Sequence, residues 1–445
     1  MVNYEESNSD DDLLISNPEG AHIVQPHVDP DFSGMSNSVN APSDRYNIIY
    51  IIFFIQGVGM LLPWNFFITA KDYFSQKFEE DANIQGKFEN AFALSAMFPN
   101  VISLFLNIFL TNRLSRGVRV ITCLLIMIAT FTVTTVLVKV DSQSWPDKFF
   151  VITVCSVIII NISSGVYQGT LFGVAGIVGQ RYIQAIMSGQ AIAGIFAALA
   201  DLISKLAEND DTTTSAFIYF LIAVVVIAIT AVSYTMLFKM PRMQFYFRRF
   251  ERRSKNDVKI QQEVKPEQPD IPYWQIFKEI WPMAFSVTVV FGVTLSMFPA
   301  VLVKIRSTDE ANGSMWNKKL FATVVVFLIF NCGDWVGRIF AGQFQLVKEK
   351  GPWLPFLAIT RVVFIPLFFL CNIEGSVHLP YVFKHDFWPV IINVFFSLTN
   401  GYLGSLCMMY GPKLVSIEYS ETAGTIMSLF LSVGLTLGAC VSFAL

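Results

Sequence analysis

Apolar residues along this chain gather into runs of roughly 20 positions with few charges, the length that crosses a hydrocarbon core of about 30 Å as a helix. The runs predict helices at 47–69, 89–110, 119–139, 149–173, 184–205, 215–238, 276–302, 319–344, 353–373, 387–410 and 421–445. The alternation of a barrel strand is missing, so eleven transmembrane helices and an all-α integral membrane protein are expected.

Composition agrees with that pattern. Hydrophobic residues make up 53% of the 445, charged residues only 15%, and Phe occurs 42 times, which excludes an ordinary soluble domain of this length. The first run begins near residue 47 behind a polar acidic stretch, so it is expected to start translocation itself and not to follow a cleaved signal peptide. Residues 1–44 are rich in Ser, Asn, Asp and Pro and are expected to be a disordered tail. Within them Asp10, Leu14 and Ile15 frame an acidic dileucine pattern, readable by a clathrin adaptor for sorting toward late endosomes or lysosomes, or as a plain solvated tail. The segment 240–275 has a basic start and a Pro-rich end and reads as a cytoplasmic loop between two halves.

A net charge of −3 gives no general attraction to nucleic acid, so the placement of the charges matters more. Arg113, Arg116, Arg119, Arg181, Arg242, Arg248, Arg249, Lys348 and Lys350 fall in loops on one side of the predicted bundle, which the positive-inside rule assigns to the cytoplasm. The loop 304–319 dissents and is outvoted. The N-terminus is then expected inside and the C-terminus outside. All six cysteines lie in or at the ends of apolar runs and read as packing residues, with no disulfide frame or metal site expected.

The two halves echo each other. Pro63 in the first run is answered by Pro299 in the seventh, and Gln168-Gly169 in the fourth by Asn400-Gly401 in the tenth. Ile186-Met187-Ser188 with Gly194 is answered by Ile426-Met427-Ser428 with Gly434 at identical spacing. Six helices, a basic loop and further helices in the same orientation form a 6+5 version of the major-facilitator plan: a bundle over 45–239, the loop 240–275, and a five-helix bundle over 276–445. That plan puts a solute site at mid-membrane between the halves.

A charge at the centre of a membrane helix must pair, face water or serve function. Asp334 and Arg338, spaced i, i+4 with Asn331 one turn before, meet that description. They read either as a structural pair or as ligands for hydroxyls and ring nitrogens. Trp64 and Asn65 follow Pro63, where a missing backbone donor can open the helix into a cavity; an interfacial aromatic belt is the other reading of Trp64. Gln168 reads either as a contact to a base edge or as a bond to a neighbouring helix. No Walker phosphate loop, nucleophile–base pair or metal cluster stands out, so neither an enzyme nor a cofactor is expected. Asn312-Gly313-Ser314 fits a glycosylation acceptor in an outer loop.

From about Arg45 onward the chain resembles the equilibrative nucleoside transporters. The resemblance is carried by Leu61-Leu62-Pro63-Trp64-Asn65-Phe66-Phe67, Tyr167-Gln168-Gly169-Thr170-Leu171-Phe172-Gly173, Ile186-Met187-Ser188-Gly189-Gln190 and Met297-Phe298-Pro299-Ala300. It continues in Phe330-Asn331, Asp334-Trp335, Gly337-Arg338, Asn400-Gly401-Tyr402, Tyr410-Gly411-Pro412-Lys413 and Glu421-Thr422-Ala423-Gly424. It implies sodium-independent passage of purine and pyrimidine nucleosides, and in some members nucleobases, down their gradients. By motif it implies a pocket lined by Leu61, Trp64, Met97 and Leu435, with Gln168 toward the base. Asp334 and Arg338 would hold ribose hydroxyls or link the halves, beside Asn331 and Phe298, and Gly189 would keep the fifth helix close-packed. The acidic tail resembles the endolysosomal branch, leaving plasma membrane and lysosome both open. A carrier of another polar solute and a non-transporting receptor or scaffold are the competing functions.

Overall fold

A computed structural model describes residues 42–79, 82–85, 88–111, 113–141, 144–206, 211–251, 271–307, 320–374 and 382–444. The sorting pattern at Asp10, Leu14 and Ile15 and the acceptor Asn312 lie outside them. Among the described residues, ten helices are long and apolar enough to cross a membrane, with one shorter apolar segment.

In chain order these are α1 (Ile48–Thr69), α2 (Phe88–Leu110), α3 (Arg116–Val138), α4 (Pro146–Val178), α5 (Gln180–Leu206), α6 (Thr212–Leu237) and α7 (Tyr273–Met297). They continue as α8 (Ala322–Gln343), the shorter α9 (Trp353–Phe369), α10 (Phe387–Tyr410) and α11 (Ser420–Ser442). The solvent for the outer faces is legible in the side chains they leave exposed. On α2, Ile102, Phe105, Leu106 and Phe109 remain uncovered, a stripe at helical spacing that fits acyl chains.

Pairing follows the predicted repeat. α1 packs on α5 as α7 packs on α11, and α2 packs on α4 as α8 packs on α10. Across the halves, α11 meets α2 and α4, while α8 meets α5. Small residues set the closest approaches: a Cβ on Gly189 would run into the α1 backbone at Phe54, and one on Gly401 into the Asp334 carbonyl of α8. Only positions without a Cβ let two backbones approach so closely.

Local structure departs from the sequence expectation in four places. α1 runs unbroken through Pro63 to Thr69, so the helix opening expected there is not present. α3 begins at Arg116, which moves Arg116 and Arg119 from the loop into the helix. α8 opens with a π-helical turn over Ala322–Leu328, where carbonyls lose their usual partners and the Asn393 amide of α10 donates to Val325 and Val326. The run expected at 353–373 is broken by a 3₁₀ turn at Arg361–Val363, because Pro366 in the segment Phe364–Phe369 has no N–H for the turn before it. At the ends, Ser115 caps α3 and Asp211 caps α6, and the Thr214 hydroxyl and amide hold the Asp211 carboxyl below the usual range.

Candidate functional site

The i, i+4 spacing of Asp334 and Arg338 brings them together as the sequence suggested. Arg338 Nε donates to Asp334 Oδ2 at 2.7 Å, and the two residues are 5% and 4% exposed respectively. Two further contacts decide what the pair can do. Asn400 Nδ2 of α10 donates to the other carboxylate oxygen at 2.6 Å, and Arg338 Nη1 donates to the Met187 carbonyl of α5 at 2.8 Å. Asp334 is thus oriented inside its own half, while Arg338 reaches across to the other one.

The remaining sequence candidates distribute as follows. Gln168 Nε2 donates to Ser432 Oγ of α11 at 3.3 Å, a bridge between the halves in this conformation. Asn331 donates to the Phe327 carbonyl one turn back, and its oxygen lies against Gly194 of α5. Phe298 follows the end of α7 and stacks on Phe330 of α8 at 4.0 Å between centroids. Trp64 stacks on Phe67 of its own helix at 6.2 Å. Leu61, Trp64 and Leu435 are partly buried against the main core, Asn65 and Met97 are also partly exposed, and the Asn65 amide nitrogen is buried with no partner.

A second polar cluster was not anticipated. Near the start of α11, Glu421 accepts from Arg116 Nε at 2.7 Å and from Arg119 Nη2 at 2.9 Å, both from α3. Arg119 Nη1 also donates to Asn107 Oδ1 at 3.1 Å and to Thr170 Oγ1 at 3.1 Å, so α2 and α4 join the tie. Arg116 lies over the rings of Phe247 and Phe250, at 5.1 and 4.8 Å, in the helical stretch 241–251. At the opposite end of the bundle, Lys205 of α5 donates to its neighbour Asp201 and to Thr323 Oγ1 of α8, each at 2.8 Å. Arg119 and Glu421 are 2% and 3% exposed; the side chains of Lys205 and Asp201 are 34% and 23% exposed.

Sequence reasoning passed over Arg119 because three arginines near a helix end looked like inside-loop charge. Glu421 was noted only as part of a motif. Arg361 was missed although the criterion that picked out Asp334, a lone charge inside an apolar run, applied to it equally.

Comparison with known proteins accounts for this architecture. A family model described as Nucleoside transporter matches residues 154–445. The chain is 37% identical over 454 residues to equilibrative nucleoside transporter 1 of Homo sapiens, spanning 90% of this chain and 97% of that one. It is 35% identical over 425 residues to equilibrative nucleoside transporter 3 of Rattus norvegicus, with 90% and 89% covered. Among solved structures it is similar to the major facilitator proton:xylose symporter XylE, with a TM-score of 0.60 at 12% identity over 89% of this chain and 88% of that one. It is also similar to the human organic anion transporter MFSD10, with a TM-score of 0.53 at 10% identity over 90% and 94%. Likeness at such low identity establishes a major-facilitator fold alone. Matched over nine tenths of its length by named relatives and from within α4 to the end of the chain by the family model, this multi-pass membrane protein belongs to the equilibrative nucleoside transporter family.

Proposed function

We propose that the chain carries purine and pyrimidine nucleosides down their gradients by alternating access, the bundle at 45–239 rocking against the bundle at 276–445 around a central site. The observation that carries this reading is the buried Asp334–Arg338 pair, whose acid is anchored in one half while its base reaches Met187 in the other. An ionised acceptor and a planar donor suit ribose hydroxyls and a heterocycle. Leu61, Trp64, Met97, Phe298 and Leu435 form the apolar walls, with Asn65, Gln168 and Asn331 as neutral polar contacts. Gln168 leaves Ser432 for the base when the halves shift, and that exchange couples binding to motion.

The basic end of the bundle faces the cytoplasm in this reading, with the loop at 240–275 and the tail at 1–44. The tail pattern at Asp10, Leu14 and Ile15 engages a clathrin adaptor, and Asn312 carries a glycan on the other side. The test is initial uptake of labelled uridine and adenosine into proteoliposomes of the purified chain, without sodium and with unlabelled sugars and amines as competitors. Uptake that nucleosides block and sugars leave intact supports the proposal; uptake blocked by sugars or amines instead refutes it.

A further inference from the structure

We infer that Arg361 is a positioning residue of the transport site, fixing the direction of the Asp334 carboxylate through Thr294 and Asn400. The inference rests on the nucleoside-carrier reading and deepens it.

Arg361 lies in the 3₁₀ turn of α9 and is 1% exposed. Its hydrogen-bond acceptors are neutral: Nη1 donates to the Phe396 carbonyl at 3.0 Å and to Thr399 Oγ1 at 2.5 Å, and Nη2 donates to Thr294 Oγ1 at 2.7 Å. The guanidinium also lies over the Phe396 ring at 4.9 Å. As a staple for a short apolar helix this arrangement is a poor solution. A buried cation held by neutral groups carries a desolvation penalty that a leucine avoids. Its charge and its fork of donors therefore point to another use.

That use is visible one bond further on. Thr294 Oγ1 accepts from Arg361, and its single hydroxyl hydrogen has two acceptors within reach, the Val290 carbonyl of its own helix at 2.8 Å and Asn400 Oδ1 at 2.7 Å, of which the proposed relay uses Asn400. Holding Oδ1 there turns the Asn400 amide so that Nδ2 faces Asp334 Oδ1 at 2.6 Å. A flipped amide would set oxygen against carboxylate. The chain runs Arg361, Thr294, Asn400, Asp334, Arg338, Met187 carbonyl, with the one acid between two arginines. All links up to Arg338 lie in α7 to α10, inside one half. When Arg338 releases Met187 as the halves part, or turns to a substrate hydroxyl, the Arg361 side of the chain stays in place and Asp334 remains aimed.

The experiment measures KM and turnover for uridine in proteoliposomes of the full chain, normalised to reconstituted protein. Thr294→Val cuts the relay without changing shape or charge, and it is expected to raise KM about tenfold, as for loss of a hydrogen bond serving a charged group. Arg361→Gln is expected to match it and Arg361→Lys to recover part of the loss. In an Asp334→Asn background, Thr294→Val is expected to add nothing to the weakened uridine-induced thermal shift, since the group it positions has lost its charge. Unchanged KM in Thr294→Val with normal uridine uptake by the wild type would overturn this inference and leave the carrier reading intact. Additive effects in the double variant, or Arg361 variants that lower only the yield of folded protein, also overturn it. A wild-type chain that takes up no uridine defeats the carrier reading first, and this inference with it.

Discussion

At the basic end of the bundle, Glu421 of α11 takes two arginines of α3 onto its two oxygens, with Glu421 and Arg119 buried and the Arg116 side chain 19% exposed. At the opposite end, Lys205 and Asp201 of α5 pair with each other and meet the Thr323 hydroxyl of α8, in partial contact with solvent. The contrast is one of mechanism as much as strength. A buried ion pair gives little net stability over apolar packing, yet losing one partner costs about 3–5 kcal/mol because the other charge is stranded. An exposed tie to a neutral group is worth about 0.5–1.5 kcal/mol and can be replaced by water. The tie at Glu421 is therefore expected to act as a bolt that must be hydrated as a unit, and the tie at Lys205 as a catch. In the proposed carrier cycle, with Arg338 holding Met187 between the two ties, the Lys205 end is expected to part first.

Four substitutions test that ordering, from the largest expected effect to the smallest. Glu421→Gln strands Arg116 and Arg119, and it is expected to depress uptake by on the order of a hundredfold or more. Hydrogen exchange should rise in the first turns of α11, which a local loss of stability at the Lys205 end would not produce. Asp334→Asn leaves Arg338 uncompensated between the halves and is expected to lower uridine uptake by about a hundredfold with the protein still in the membrane. Uptake rates beside surface-labelled protein check it. Thr323→Val removes the crossing hydroxyl at the Lys205 catch, and a change in transport rate of less than about tenfold is expected. Arg306→Gln breaks a contact to Glu374 whose side chains are 37% and 61% exposed, and a change of thermal stability below about 1 kcal/mol is expected.

Much of the fold was legible because lipid imposes one rule on every span: about 20 apolar residues with internally satisfied backbone. The repeat was legible in Gln168-Gly169 answered by Asn400-Gly401 and in Gly194 answered by Gly434, and Gly401 is a point where two backbones touch. What escaped was decided by contact between segments far apart in sequence. Arg119 and Arg113 look alike in the sequence, yet one is buried against Glu421 and the other is exposed. Gln168 had two open readings, and only the position of Ser432 on α11 shows which partner it takes in this conformation. The break in α9 had a local cause at Pro366, but the role of Arg361 depends on Thr294 and Asn400, which periodicity cannot bring together.

The unequal ties are tested most directly by pulsed electron resonance between spin labels in a cysteine-free background. One pair sits at the basic end on Arg113 and Ser416, the other at the opposite end on Leu206 and Lys304, all exposed positions. The unsubstituted gates should give a narrow distance distribution at the basic end and a broad one opposite, and Glu421→Gln should broaden the basic-end distribution toward longer distances. A basic-end distribution that Glu421→Gln leaves unchanged, or one already broader than its counterpart with both ties intact, would contradict the account.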